Sequence, residues 1–203
     1  MDGFIGYAQA IKEILPHADI VLGPFHVTKL AVDKIDLFRR QQQRKIHGRR
    51  GRKGDAIYGG RRLLLTSKAH MTPKRKGQIK VLVNKMEAKD TFMTLINCAN
   101  WVQAAYRAAD DAEGHAIMER FIGWLEHAPK AQIPQLRSLR MTFTRRADAI
   151  LAHFHTRITN AAAEAINGRL EQLRRTALGF RNIANYRYRV FIHSGPCTPP
   201  HTR

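Results

Sequence analysis

The sequence predicts a mainly α-helical chain with a small α/β remnant at its N-terminal end. Two observations carry this reading. Apolar residues recur at three-to-four spacing through several long stretches, the pattern of helices that bury one face. Only one short apolar run, residues 18–22 (A-D-I-V-L), reads as a strand. The chain shows no internal repeat.

Taken in order, residues 6–15 form a helix stopped by Pro16. The strand at 18–22 follows, Gly23-Pro24 breaks it, and Phe25-His26 opens the next helix. A lone strand has no sheet to join. The opening therefore reads as a sheet whose earlier strands are missing. Asp2 would then stand at the C-terminal edge of a lost strand, where open α/β sheets carry their functional groups.

Residues 27–46 are helical, with Leu30, Ile35, Leu37 and Phe38 inward and Lys34, Arg39 and Arg40 outward. Residues 47–62 (H-G-R-R-G-R-K-G-D-A-I-Y-G-G-R-R) have no apolar period and form a mobile basic loop. The loop is either a solvated linker or an arm that tracks phosphates through Arg49, Arg50, Arg52, Lys53, Arg61 and Arg62. Leu63-Leu64-Leu65 begins a short helix. Thr72 caps a further helix that starts with Pro73 and runs to about Met86.

Three longer helices follow, at 89–109, 110–127 and 133–155. Their aromatics, Phe92, Trp101, Tyr106, Phe121, Trp124, Phe143 and Phe154, fall at helical spacing and belong to a core rather than to a base-stacking platform. His153 and His155 are too close for paired metal ligation on one helix face and are surface residues. The polar, proline-rich tail after Phe191 is expected to be disordered.

The stretch from Asn160 to Asn182 reads as a capped helix. Asn160 suits the N-cap, and Glu164 lies where negative charge favours the start of a helix. Ile166, Leu170, Leu173 and Ala177 form a stripe expected to be buried, and Gly179 suits the C-terminal cap. Glu164 is flanked by Ala161, Ala162, Ala163 and Ala165, so a large partner can approach its carboxylate. Arg174, Arg175 and Arg181 follow it. An acid among small residues, then a basic run, suits a metal-and-phosphate site. An amphipathic helix with a solvated acid fits the same spacing.

With 203 residues and 44% hydrophobic content, the chain is long enough for one domain with a core. A net charge of +19 points to a polyanionic partner, most simply nucleic acid. No apolar run spans a bilayer, and Asp2 and Lys12 interrupt any leader, so the expected compartment is the cytoplasm and no membrane is expected as a partner. Cys98 and Cys197 are too few and too distant for a zinc site or a disulfide framework.

The opening MDGFIGYAQAIKEILPHADIVLGPFHVTKLAVDKIDLFRR resembles the ISL3 family of insertion-sequence transposases. The segments HGRRGRKGDAIYGGRRLLL and AEAINGRLEQLRRTALGFRN are similar to that family too, so the resemblance covers nearly the whole chain. It implies a DDE transposase with a ribonuclease-H-like core interrupted by a helical insertion. On that reading residues 1–27 are a core remnant, 28–157 the insertion with the basic loop 47–62, 158–193 the core helix with Glu164 and its successor, and 194–203 the tail.

The family order makes Asp2 the second catalytic acid and Glu164 the third, both holding Mg2+ or Mn2+. The match for the first acid would lie upstream of Met1, so the expectation is a truncated protein that is inactive alone. The family tends to show Cys or Asp, two residues, then His. Here that motif reads Gly23-Pro24-Phe25-His26, with the acid gone and His26 either unanchored or a helix cap. The implied partners are double-stranded DNA and a second copy or a full-length transposase. A different class of reading is a non-catalytic basic DNA-binding protein that modulates such an enzyme.

Overall fold

The computed structural model describes residues 13–66, 68–128, 133–159 and 161–194. The chain divides into two units, Met1–Ile158 and Thr159–Arg203. The described residues are mostly helical and include no strand.

The first unit is built on α1 (Pro24–His47). Pro24 occupies its first turn, where a missing amide costs nothing, and Gly48 ends it with φ +63 and an amide bond back to the Arg44 carbonyl at 2.8 Å. Val27, Ala31, Ile35 and Phe38 repeat along one face and are all buried. Two short helices follow, α2 (Ala56–Gly59) and α3 (Arg61–Leu64), and then a 3-10 turn, Lys68–His70. In α4 (Pro73–Asn84) the Thr72 hydroxyl accepts the Arg75 amide, the N-cap that the Thr-Pro pair predicts.

The core is closed by α5 (Lys89–Ala105), α6 (Asp111–His127), α7 (Pro134–Arg145) and α8 (Ala147–Thr156). α5 lies against α1 on one side and α6 on the other, and α6 also packs on α7 and α8. Asp110 caps α6 by accepting the Glu113 amide at 2.7 Å, and Glu113 accepts the Ala109 amide at 3.0 Å. Phe92, Phe121 and Phe143 are fully buried, and Phe121 meets Phe143 edge to face at 5.3 Å. Burying each such ring contributes on the order of 1.5–3 kcal/mol.

Several expectations are corrected here. Residues 18–22 form no strand. Val21 and Leu22 are buried against the helices instead, and the Leu22 amide donates to the Ala149 carbonyl at 2.8 Å. An apolar run buried among helices satisfies its backbone without a sheet. The single helix expected at 133–155 is two, parted at Arg146, and the helix expected to reach residue 109 ends at Ala105. Arg39, expected outside, is 3% exposed, whereas Leu37, expected inside, is exposed. The stretch 47–62 begins on the last residue of α1 and contains α2 and the start of α3, so only residues 48–55 form a continuous run without helix. The helix expected at 6–15 is described only at Glu13 and Ile14, its end before the Pro16 turn.

The second unit is the pair α9 (Ala161–Thr176) and α10 (Ile183–Ser194), packed on each other. α9 ends in a Schellman-type turn. Leu178 and Gly179 both take positive φ, and the Gly179 amide reaches the Arg174 carbonyl at 2.9 Å. Asn182 caps α10 by accepting the Ala184 amide at 2.8 Å. None of the described side chains of this unit is buried, so the stripe of Ile166, Leu170, Leu173 and Ala177 is not a buried one. Asn160 and residues 195–203 lie outside the described residues.

Candidate nucleic-acid interface

Two carboxylates organise the arginines of the first unit. Asp55 is the first. Arg49 grips it with two bonds of 2.8 and 3.0 Å, the Arg52 amide donates at 2.8 Å and Gln43 Nε2 at 3.1 Å. The Arg49 bond, then the Arg52 amide, outweigh burial and hold the Asp55 carboxyl at about 2. Arg49 thus clamps the loop through Asp55.

Asp36 is the second. Arg39 lies 2.8 Å from it, Arg61 3.2 Å and Arg40 3.3 Å. Burial raises its pKa, but the Arg39 bond and the charges of Arg39, Arg61 and Arg40 bring it below the ordinary carboxylate value. Arg39 also donates to the Ile57 carbonyl at 3.5 Å, which explains why a guanidinium is buried on the α1 face.

Between α1 and this loop lies a pocket of about 480 Å3, lined by Asp36, Arg39, Arg40, Gln43, Arg44, Arg50, Gly51, Tyr58 and Arg61. Five guanidinium groups face one carboxylate there. Tyr58 lies directly over Gly51, where an added Cβ would sit 2.5 Å from the ring. The glycine is therefore what lets the ring rest on the loop backbone.

The sequence singles out Arg50 and Arg61, and the structure brings both into this pocket. Arg52, Lys53 and Arg62 are exposed nearby in sequence but do not line it. Sequence reasoning missed Arg44 and Tyr58 and gave Arg40 only an outward direction. The 40, 44 spacing along α1 places both arginines on one face and was a usable signal.

His26 lies half-buried in the first turn of α1, its ring edge-on to Phe25 at 5.4 Å. In the second unit Glu164 is exposed in the first turn of α9. Arg174 and Arg175 both pair with Glu171, at 3.0 and 3.3 Å, and Arg181 is exposed after the helix. Asp2 lies outside the described residues. Among the described residues no three of His, Cys, Asp and Glu gather as metal ligands. No helix among them is long and apolar enough to cross a membrane.

The helical block thus carries an arginine-lined pocket in a chain of net charge +19, a balance that attracts polyanions. The family comparison says which kind. Residues 1–190 match the ISL3-type DDE family described as "Transposase", and the chain belongs to that family. No curated protein and no solved structure matches. DDE transposases generally use a divalent metal, and membership of a transposase family implies DNA as the partner.

Proposed function

We propose that the chain acts in metal-dependent cleavage and transfer of DNA strands at the ends of an insertion sequence. The observation that carries this is the family match over residues 1–190. On this reading Asp2 and Glu164 supply two of the acids that hold Mg2+ or Mn2+, within a ribonuclease-H-like core that the helical block interrupts. When bound, the metal stabilises the attacking and leaving oxygens of the phosphodiester.

The rest of the work falls to this chain's cations. Arg50, Arg52, Lys53, Arg61 and Arg62 neutralise backbone phosphates, as do Arg174, Arg175 and Arg181 in the second unit. His26, seated in the first turn of α1, stands where the family carries its histidine, without the acid three residues earlier. A second copy of the chain is the proposed assembly partner. The non-catalytic reading shares the charge argument but leaves the family match unexplained.

The test is iron-directed cleavage of the polypeptide in the presence of duplex DNA. Fe2+ at an acid site generates radicals that cut the backbone locally, whether or not the chain turns over DNA. Mass spectrometry should find cuts beside Glu164 and near the N-terminus, both suppressed by excess Mg2+ and absent in Glu164→Gln. Cuts elsewhere, or cuts insensitive to Mg2+, refute the acid assignment.

A further inference from the structure

We propose that the pocket between α1 and the 48–60 segment holds one unpaired nucleotide of a nucleic-acid strand, its phosphate on Arg44 and Arg50 and its base on Tyr58. This rests on the reading of the chain as a DNA-acting protein and adds a subsite to it.

The charge within the pocket comes first. Asp36 already engages Arg39, Arg40 and Arg61, so its acceptor oxygens are committed. Arg44 and Arg50 also line the pocket, and neither makes an ion pair among the described residues. Two exposed guanidiniums with no carboxylate, beside three sharing one, leave a concave surface with excess positive charge. An anion with several acceptor oxygens answers that excess, and arginine forks suit phosphate.

The pocket's size and wall then separate a nucleotide from a bare phosphate. A volume of about 480 Å3 is in the range that receives a small organic molecule rather than one tetrahedral ion. Tyr58 is 44% exposed although aromatic, and its ring rests on Gly51. An aromatic face fixed beside a cationic rim is the combination that takes a base by stacking and its phosphate by charge. A base enters a pocket of this kind only when it is out of the duplex. The expected ligand is therefore a strand with an unpaired nucleotide rather than an intact duplex.

The test uses the full chain and fluorescence anisotropy with three probes: a blunt duplex, the same duplex with a short single-stranded tail, and a free deoxynucleoside monophosphate. The unaltered chain should bind the tailed duplex about tenfold more tightly than the blunt one. Tyr58→Leu should abolish that preference while leaving blunt-duplex affinity in place, and Tyr58→Phe should retain it. Arg44→Gln combined with Arg50→Gln should weaken binding of both duplexes and lower the slope of log affinity against log salt by about 2.

If the unaltered chain binds DNA and the variants match it in preference and slope, the pocket assignment falls, Arg50 drops out as a phosphate contact, and the rest of the proposed function stands. If the unaltered chain binds no DNA, both fall. Free monophosphate binding as tight as the tailed duplex would make the ligand a soluble nucleotide and overturn the strand assignment. Unchanged melting curves for the variants confirm that the readings concern the pocket.

Discussion

Gly114 sits near the start of α6, where a Cβ would lie 2.7 Å from the Ala105 carbonyl oxygen and 2.7 and 2.9 Å from two atoms of the Phe154 ring. Ordinary contact begins near 3.4 Å, so Gly114→Ala requires its neighbours to retreat by about 0.7 Å (3.4 less 2.7). Neither neighbour yields cheaply. One is backbone, and Phe154 is 5% exposed and stacked on Tyr106 at 5.3 Å. Overpacking of this kind costs about 1–3 kcal/mol. Alanine recovers about 0.5–1 kcal/mol of helix propensity over glycine. The net expectation is a loss of up to about 2.5 kcal/mol (3 less 0.5), and at about 2–4 °C per kcal/mol for a domain of this size, Tm falls by up to about 10 °C. Gly123, on the same helix, has nothing within 4 Å of its added Cβ. Gly123→Ala collects only the propensity gain, so its Tm should rise by about 1–4 °C. Thermal and urea melts followed by far-UV circular dichroism compare the two. A Gly114→Ala variant that melts above the parent would refute the packing of α6 against α5 and α8, and a Gly123→Ala variant that melts below it would refute the open space at that position.

Asp55→Asn removes the clamp on Arg49, so trypsin should cut after Arg50, Arg52 and Lys53 faster than in the parent; equal rates would show that Asp55 does not order this loop. The folded pKa of Asp55 is about 2 against an ordinary 3.8, so its stabilisation is complete above the ordinary value and is lost as pH falls through about 2. Amide exchange at residues 49–55, corrected for intrinsic rates, should therefore quicken between pH 4 and pH 2 and stay level above pH 4. Cys98 is buried and its thiol is pushed up to about 12 by burial, so in a Cys197→Ser background a thiol reagent at pH 8 should label it only on unfolding. Rapid labelling of the native chain would contradict the packing of α5.

Much of the helical block is legible in residues that act locally. Gly23-Pro24 and Thr72 with Pro73 announce their helix starts through local chemistry that needs no distant partner, and Asp110 and Gly48, not read as caps in the sequence, act in the same local way. The buried face of α5 and most of that of α6 follow from spacing in the same way, although Trp124 is exposed and α1 turns Arg39 inward and Leu37 outward. The parting of α7 and α8 at Arg146 carries no glycine or proline, and nothing local announces it. Residues 18–22 mislead because an apolar run records burial, not the kind of element that buries it. The α9 stripe misleads for the complementary reason: periodicity says which residues share a face and nothing about what covers them. The pocket was half legible. Arg50 and Arg61 lie in a visibly basic segment, but Arg44 and Tyr58 join them only once the loop folds back on α1.

The bond between the Leu22 amide and the Ala149 carbonyl joins positions 127 residues apart (149 less 22). A ribosome adding about 5–20 residues each second needs roughly 6–25 seconds to cover that distance. For most of that interval the greasy side of α1 has been made while α7, the last helix to pack on it, has not. Synthesis thus leaves a timed opening for holdase chaperones, and a nascent chain stalled before codon 134 should be the form they retain.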